Sequence, residues 1–530
     1  MTLQRVRAVP PPGIQQVSGS VTTVAVKVIK LLSLLLVTPL LAVVASGQVK
    51  VRTDDGHLHG DLATRIEAAE KELGPRKGEI IITGNDPITR TVVVGTGHTW
   101  NVSGMHTLVK GANQRGLIWM KDSSTLISKN HGGFQNDVTR LSRPRMIETY
   151  EGMQPFKDAR FGSDYDARVA SNITLIGVQL KEIPGANPSG QINAALNLGN
   201  CHKCKVEKVW FNGLNSFGVQ VGANALWPNK QADGVEIVDC LFTEVATQNI
   251  AWVHGQNGLI ARNKIVKPGR VAQAIVAIDI EANYSPYSIL KNIKIVDNVI
   301  DFTDSPGSFS GIAVTSSAPT VPTEDIEISR NVIRGESKGA VAHSRRGIDL
   351  AGDDFNSPDG RRIVVADNQV SDFDQICIVA AGDQIQVLRN TLKNCSWGLP
   401  TSGILATDLS NSIIRDNVIS SDGGYISELG FQTVRKTNAH NLVEGNRLSR
   451  IIGTYTTTTF RNNVISNAQS TGGAIYHSGI KEFPGSTGNV YENNKITRGN
   501  GGDQFGLQVQ RGSTVKSVEW LEPATPGSSR

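Results

Sequence analysis

An asparagine-containing unit recurs along most of the chain and restricts the folds that the chain can adopt. Each unit is a short run of alternating apolar residues, a polar turn that contains Asn, and an aliphatic residue two positions after the Asn. The nine asparagines are Asn263, Asn298, Asn331, Asn368, Asn390, Asn417, Asn446, Asn463 and Asn494. Their separations range from 17 to 37 residues. Such variable spacing favours stacked coils with loops of different lengths over the regular blades of a propeller.

A second short sequence motif recurs between these units. It joins a small residue to alternating aliphatic residues, as in Gly218-Val-Gln-Val, Ala277-Ile-Asp-Ile, Gly311-Ile-Ala-Val, Gly347-Ile-Asp-Leu and Gly403-Ile-Leu-Ala. A period of two predicts strands, and strands this short bury an apolar face only when successive copies stack. No helical period persists across the units. We therefore predict an all-β chain that folds as a right-handed parallel β-helix, a solenoid in which the asparagines form an internal ladder.

A short amphipathic helix is predicted ahead of the repeats. The apolar residues that share one face of this helix are Leu62, Ile66, Ala69 and Leu73. Asp61 stands at the N-cap position, Gly74 follows the last apolar residue, and a strand is predicted at 79–84. We expect the helix to cover the open end of the first coil, where core and strand edges would otherwise be exposed.

Capping helix, strand and asparagine coils together resemble the pectin-lyase-like superfamily of secreted right-handed β-helix proteins, over residues 54–510. The superfamily includes lyases, hydrolases, epimerases, phage tailspikes and non-catalytic surface proteins. Its polygalacturonase signature is matched only in fragments, near Asp233 and at Asp353-Asp354, and its pectate-lyase signature is not matched at Trp210-Phe211-Asn212. The resemblance therefore implies a fold and a carbohydrate-related role without specifying a reaction.

The N-terminus has the pattern of an export signal. Lys27 and Lys30 precede an apolar run at 31–44, which is followed by the small residues at 45–47. We predict cleavage before Gln48. An uncleaved anchor is the alternative, but 14 residues span only about 21 Å as a helix, against about 30 Å of membrane hydrocarbon.

These patterns divide the chain into four parts. We predict a signal peptide at 1–47, a capping segment at 48–78, and the β-helix at 79–510. Within the β-helix the repeat lapses at 129–168, which we interpret as a loop insertion over one lateral face. The part at 511–530 is expected to be a tail whose last residues, without an apolar pattern, are disordered.

Charge and cysteines limit the possible partners. The net charge is +5, but the first 47 residues carry four basic and no acidic residues, so the remainder has a charge of +5 − 4 = +1. This balance argues against nucleic acid as a partner, and against a membrane once the signal is cleaved. Of the five cysteines, Cys201 and Cys204 have the spacing of a local disulfide or of two unrelated thiols. A zinc site would need a second ligand pair, which is not evident.

Candidate site residues follow when the copies of the second sequence motif are stacked in register, one per coil. The predicted outward column contains Asn197, Gln220, Trp252, Asp279, Ala313, Asp349, Val379 and Leu405. A neighbouring column contains His254 and Glu281, and the predicted flanking residues are His343, Arg345, Arg346 and Asp353. Tryptophan beside carboxylates on a long shallow face is typical of a polysaccharide site, because sugar rings stack on indole and their hydroxyls bond to acids. Ordinary solvated surface is the alternative.

Two mechanisms fit these residues. Asp279 and Asp349 would lie two coils, or about 9.6 Å, apart, which is near the separation of acid and base in inverting glycosidases. In the lyase version Asp279, Glu281 and Asp349 would bind Ca²⁺, while Arg345 or Arg346 takes a proton. The hydrolase version requires no metal or other cofactor.

We therefore predict a carbohydrate-active protein, secreted, periplasmic or on the cell surface, that cleaves glycosidic bonds of a polysaccharide as a hydrolase or a lyase. In this hypothesis Gln220, Trp252, His254, His343 and Asp353 bind substrate. The alternatives are a non-catalytic β-helix surface or binding protein and a tailspike-like adhesin.

Overall fold

Three rows of short parallel strands wind around one apolar core in the computed structural model of the chain. The structure describes residues 48–109, 118–137, 146–149, 170–183, 194–222, 231–269, 274–282, 288–305, 308–316, 323–336, 344–351, 360–395, 403–421, 428–436, 438–466, 479–497 and 506–521. Within these residues the strands form a 36-stranded sheet and a 15-stranded sheet. The larger sheet contains two rows, here called A and C, and the smaller sheet is row B.

Row A contains the first strand of each coil and begins the chain's path around the solenoid. Its strands are Val49–Arg52, Gly78–Ile82, Thr99–Val102, Thr125–Ile127, Thr174–Ile176, Lys205–Glu207, Ala232–Asp233, Glu236–Val238, Gly255–Ala261, Leu290–Val296, Thr323–Ser329, Gly360–Arg361, Val364–Ala366, Gln386–Leu388, Ile413–Arg415, Asn438–Ala439, Leu442–Glu444, Tyr455–Thr456, Thr459–Arg461, Val490–Glu492 and Thr514–Val515. Each pairs in parallel with its equivalents in neighbouring coils.

Row B follows row A across the turn that contains the asparagines. Its strands are Met105–Val109, Gly133–Asp137, Gln179–Glu182, Trp210–Asn212, Leu241–Thr243, Lys264–Val266, Val299–Asp301, Val332–Arg334, Gln369–Ser371, Thr391–Lys393, Val418–Ser420, Arg447–Leu448, Val464–Ile465, Asn494–Thr497 and Val518–Leu521. The register is regular, with Leu241, Lys264 and Val299 aligned in successive coils.

Row C completes the coil and carries the candidate site. Its strands are Val92–Val94, Ile118–Met120, Ile147–Thr149, Ala194–Asn197, Phe217–Val221, Ile250–Trp252, Ala274–Ala282, Ser308–Ser316, Ser344–Asp349, Ile376–Asp383, Ile404–Ser410, Glu428–Gln432, Arg450–Gly453, Ile480–Glu482 and Leu507–Gln508. Parallel strands joined by crossovers take the right-handed course. The predicted right-handed parallel β-helix is confirmed.

The predicted asparagine ladder is present at the turn between rows A and B. All nine asparagines are buried. Asn263 accepts at Oδ1 from the backbone N–H of Cys240, and each later asparagine accepts at Oδ1 from both the backbone N–H and the side-chain amide of the preceding one, as Asn298 does from Asn263. Asn298 illustrates the pattern: its Nδ2 donates to Ile260 O at 2.9 Å and to Asn331 Oδ1 at 3.0 Å. The ladder satisfies the turn backbone inside the core and fixes the stacking register.

Charged residues alternate immediately before the ladder. The residues with positive φ at this turn include Asp239, Arg262, Asp297, Arg330, Asp367, Arg389 and Asp416 in successive coils. Arginine and aspartate form bidentate pairs across neighbouring coils, as in Arg262 with Asp239 at 2.8 and 2.9 Å. These half-exposed pairs contribute little stability individually, but a slip by one coil would place like charges together.

The amphipathic cap is confirmed as helix α1, Leu62–Leu73. The Asp61 side chain accepts from Thr64 N–H at 2.8 Å, and the helix ends at Gly74, whose φ of 57° favours glycine. Its buried face packs on the first coils. Glu70 joins the helix to the next strand by accepting from Trp100 Nε1 at 2.6 Å and from Gly95 N–H at 3.2 Å.

Three predicted boundaries differ from the observed strands. Val49–Arg52 already pairs with Gly78–Ile82, so the solenoid begins before the helix rather than after it. The predicted insertion at 129–168 contains row B and row C strands at 133–137 and 147–149. At the other end Val518–Leu521 pairs with Asn494–Thr497, beyond the predicted limit at 510. The signal peptide at 1–47, residues 138–145 and 150–168, and the last nine residues lie outside the described residues.

Four cysteines form two disulfides. Cys201 is bonded to Cys204, and Cys377 to Cys395, while Cys240 is a buried free thiol. The local disulfide allowed by the spacing of the first pair is therefore present. In the part of the chain that the structure describes, we find no helix long and apolar enough to cross a membrane.

Candidate functional site

One outward residue from each of ten successive row C strands stands in a continuous line along the solenoid. This line, called the site column, contains Trp119, Glu148, Asn197, Gln220, Ala251, Asp279, Ala313, Asp349, Val379 and Leu405. The residues on either side of a column member lie in the core, as Ile278 and Ile280 do around Asp279. Alternation along each strand therefore sends the column side chains outward, one rung every 4.8 Å or so.

The sequence-based column is reproduced in seven of its eight positions. The exception is Trp252, because the register pairs Gln220 with Ala251 and with Asp279, and places Trp252 beside Val221 and Ile280. The indole is fully buried in the core. Trp252 therefore stabilises the coil and offers no surface to a sugar, so its predicted substrate-binding role is wrong.

His254 is also internal. Its imidazole is fully buried, and Nδ1 accepts from Ile289 N–H at 2.9 Å. Burial lowers the pKa of His254 to about 4, so the ring is neutral at neutral pH. The predicted substrate-binding role of His254 is wrong for the same reason as that of Trp252, since both belong to the inner surface of the coil.

Asp279 and Asp349 are brought into one column, as predicted. Ala313 occupies the single rung between them, so their Cα atoms are about 9.6 Å apart. Asp279, Ala313 and Asp349 are all buried. The geometry therefore places two buried carboxylates on the same side of row C, with the small side chain of Ala313 on the rung between them.

Each of these carboxylates has a partner. Asp279 Oδ2 accepts from Gln248 Nε2 at 3.1 Å. Asp349 Oδ2 accepts from Arg346 Nη1 at 2.6 Å, and Oδ1 accepts from Ala351 N–H at 2.9 Å. Asp349 and Arg346 are both buried. Removing either charge alone from such a pair strongly destabilises the folded protein, because the other charge is left buried without a partner.

The other predicted residues are placed less centrally. Gln220 lies in the site column and is half-buried, and Glu281 lies two residues after Asp279, also half-buried and aligned with Thr315. Arg346 is held by Asp349, so it is not available as the base of the lyase version. The side chains of Arg345, His343 and Asp353 lie outside the described part of the chain.

The calcium hypothesis does not fit the donor geometry. Asp279 and Glu281 are on one strand and Asp349 is two rungs away. Among the described residues no group of three His, Cys, Asp or Glu side chains is arranged to hold a metal ion. Among the described residues, the spacing of these three carboxylates therefore does not form a calcium site.

Two column members escaped the sequence analysis. Trp119 and Glu148 are aligned in adjacent coils at the N-terminal end of the site column. Glu148 is buried and accepts from Asn197 Nδ2 at 3.2 Å. The alternation Ile118-Trp119-Met120 indicates a strand with the tryptophan facing outward. Because the repeat motif is missing around both strands, the sequence does not show how they align with the other coils.

Beyond Asp349 the outer face of row C becomes apolar. A cluster separate from the main core contains Ala351, Ile376, Val379, Ala381 and Leu405. On later row C strands Arg450 and Glu428 form a buried ion pair, in which Arg450 Nη2 lies 2.8 Å from Glu428 Oε2. The polar half of the site column therefore runs from Trp119 to Asp349.

Glu428 gives a pH-dependent stability that can be measured. Burial raises the pKa of Glu428 to about 7, against the lowering effect of Arg450, from an ordinary value of 4.5. The folded chain then holds this proton more tightly than the unfolded chain. We expect the free energy of unfolding to fall as pH rises from about 4.5 to about 7, by up to about 1.4 kcal/mol per unit of raised pKa.

Urea unfolding across this pH range, compared between the wild-type chain and Glu428→Gln, measures the effect. The variant keeps a hydrogen-bonding partner for Arg450 and cannot titrate, so the difference between the two curves isolates Glu428. Parallel curves for the two proteins would contradict the assignment.

Comparison with known proteins gives structural similarity alone. No protein-family model matches the chain, and no curated protein matches it. A mutant tailspike protein of E. coli bacteriophage HK620, in complex with a pentasaccharide, is 13% identical with a TM-score of 0.46, covering 84% of this chain and 78% of that chain. The Streptococcus pneumoniae surface protein and adhesin PfbA is 13% identical with a TM-score of 0.42, covering 84% and 100%.

The A-module of the Azotobacter vinelandii mannuronan C-5 epimerase AlgE6 is 10% identical with a TM-score of 0.34, covering 89% of this chain and 100% of that chain. No catalytic family is identified. Similarities at this level carry no information on ligand or reaction, so the candidate site rests on the geometry of the site column.

Proposed function

We propose that the chain is a carbohydrate-active protein that binds a polysaccharide along the site column and hydrolyses a glycosidic bond between Asp279 and Asp349. The observation that carries the proposal is their register: two outward carboxylates, two rungs apart, with only Ala313 between them. Their Cα separation of about 9.6 Å allows a carboxyl gap of about 6.5–9.5 Å, as inverting glycosidases require.

The surroundings suggest a role for each acid. Arg346 supplies a positive charge beside Asp349, which supports a carboxylate that activates water. Asp279, which accepts from the amide of Gln248, is then the remaining acid, and we assign it as the proton donor to the leaving oxygen. Gln220, on the same face, would bond to hydroxyl groups of the bound chain.

Export is part of the proposal, since a polysaccharide substrate lies outside the cytoplasm. It is supported by the basic residues Lys27 and Lys30 ahead of the apolar run at 31–44. We expect the mature protein to be secreted, periplasmic or at the cell surface. N-terminal sequencing of the protein from its native source should begin near Gln48, whereas a retained apolar run would make the protein membrane-anchored.

A non-catalytic binding protein or adhesin is the second candidate function. The observation that favours it is the burial of both acids together with their existing partners, which is also what a structural role would produce. In that case the outer face of row C would bind a glycan without cleaving it.

Incubation of the purified mature protein with neutral and acidic polysaccharides distinguishes these functions. Hydrolysis would release new reducing ends without the ultraviolet absorbance of an unsaturated uronate. Release of both signals would indicate β-elimination and would overturn the hydrolytic mechanism. Binding of a polysaccharide with no new ends would support the second candidate.

A further inference from the structure

Two buried nitrogen atoms inside one coil of the solenoid have no hydrogen-bond partner in the described part of the chain. They are Nε1 of Trp252 and Nε2 of His254. Both side chains are fully buried, and both belong to the inner surface of the coil, two residues apart. Buried polar groups in native proteins are nearly always hydrogen-bonded, so these two atoms indicate a partner that comes from outside the chain.

The hydrogen-bonding role of His254 is fixed by its other ring nitrogen. Nδ1 accepts from Ile289 N–H at 2.9 Å, so Nδ1 carries no proton. Burial lowers the pKa of His254 to about 4, and the neutral ring therefore carries its single proton on Nε2. The indole Nε1 of Trp252 is also a donor only. The partner of these two nitrogens is therefore an acceptor.

A hydroxyl group lies close to the same two residues. Ser288 precedes Ile289, the residue that donates to His254. The Ser288 side chain is buried, and its Oγ likewise has no partner among the residues that the structure describes. The Ile289 carbonyl accepts from Gly255 N–H at 2.7 Å, and a Cβ added to Gly255 would lie 3.0 Å from Trp252 Nε1. The three polar atoms are therefore grouped around the backbone of Gly255 and Ile289, at the corner between rows C and A.

We propose that an ordered water molecule binds at this corner, accepts from Trp252 Nε1 and His254 Nε2, and donates to Ser288 Oγ. A water molecule can accept two hydrogen bonds and donate two, and internal waters typically make about three. The site is independent of the proposed function, because its groups lie on the inner surface of the solenoid and the site column lies on the outer one.

Charged ligands do not fit this set of groups. A cation would face two N–H donors. An anion would be buried beside three uncharged groups, since the His254 ring is neutral at neutral pH, and burying an unpaired charge is far more costly than burying water. The chemistry of the donors therefore selects a small neutral acceptor.

The bound water joins two successive coils. Trp252 and His254 belong to one coil and Ser288 to the next, so the three bonds cross the gap between coils at the corner of rows C and A. The asparagine ladder makes equivalent connections at the turn between rows A and B. The water is thus a structural ligand that aligns the coil of Ile250–Trp252 with its neighbour.

A high-resolution crystal structure of the wild-type protein tests the site, with a second crystal soaked in sodium bromide. We expect an electron-density peak about 2.7–3.2 Å from both nitrogens and no anomalous bromide signal at that position. Density that approaches neither nitrogen would overturn the proposal, as would a protein acceptor bonded to both. A bromide peak there would also overturn it, because it would identify an anion site.

Urea unfolding tests in solution whether the two nitrogens share one ligand. Trp252→Phe removes the indole N–H, and His254→Asn removes Nε2 while its amide oxygen can still accept from Ile289 N–H. We expect each change to lower the urea midpoint. The double variant should lower it by clearly less than the sum of the two shifts, because the first change already weakens the water that the second would lose.

The matched control combines Trp100→Phe with His254→Asn. Trp100 is also fully buried, but its Nε1 donates to Glu70 at 2.6 Å, so the shifts of this pair should add. Additive shifts for Trp252→Phe and His254→Asn as well would overturn the shared water. The crystal structure of the wild-type protein decides the question if a variant fails to fold.

Discussion

Replacing Asp279 with Asn should lower kcat by at least about 100-fold on whichever polysaccharide the protein cleaves. The amide is nearly the same size as the carboxyl group but cannot deliver a proton to the leaving oxygen. Gln248 can still bond to it, so the fold should be preserved. Asp349→Asn should cause a similar loss, because the amide cannot take a proton from water. Reducing-end release measures both.

Stability must be measured alongside activity for Asp349→Asn. This change leaves Arg346 buried without its carboxylate, and breaking a buried pair costs about 3–5 kcal/mol. Asp279→Asn is therefore the cleaner test. Asp301→Asn, on the outward face of row B, is the matched control and should retain full activity. Unchanged kcat in both site variants would exclude these acids from catalysis.

Replacing Asn298 with Leu should lower the free energy of unfolding by about 3 kcal/mol. The variant loses four hydrogen bonds: two that Asn298 Nδ2 donates, to Ile260 O and Asn331 Oδ1, and two that its Oδ1 accepts from Asn263. The groups that remain are fully buried and have no access to water. Urea unfolding monitored by circular dichroism gives the change.

Asn212→Leu is the control for this measurement. Asn212 also belongs to a strand end, but it lies on the outward face of row B and is only half-buried. Leucine there should cost little. An equal, small effect of both substitutions would mean that the ladder does not stabilise the solenoid.

Much of the fold was predictable because its signals are local and repeated. An Asn with an aliphatic residue two positions later recurs often enough to reveal the turn between rows A and B. The same repetition predicted seven positions of the site column, including Asp279 and Asp349. Where a coil lacks its motif, as at Ile147–Thr149, the strand and its column residue Glu148 were not predicted.

The error at Trp252 has a specific cause. Ile250, Ala251, Trp252 and Val253 are consecutive apolar residues, so a period of two cannot decide which of them face the core. Packing decides it: the small Ala251 goes outward beside Phe217 and Ala194, and the large indole fills the interior. Volume is a property of the whole coil and is not visible in the local pattern.

The burial of the site residues could not be predicted from the sequence either. The sequence shows Arg346 and Asp349 three residues apart but does not show that a register shift at Phe309/Ser310 aligns Arg346 with Ser310 on the outer face. Nor does it show that both charges are buried. Because of these two features, Arg346 pairs with Asp349 and is not available to take a proton from a substrate.

A crystal structure of the Asp279→Asn protein with an oligosaccharide of its substrate would show whether the sugar chain lies across the two acids. We expect the sugar chain to run along the outer face of row C, with a glycosidic oxygen between residues 279 and 349. An oligosaccharide bound on row B, or at an end of the solenoid, with no contact to the site column would contradict it.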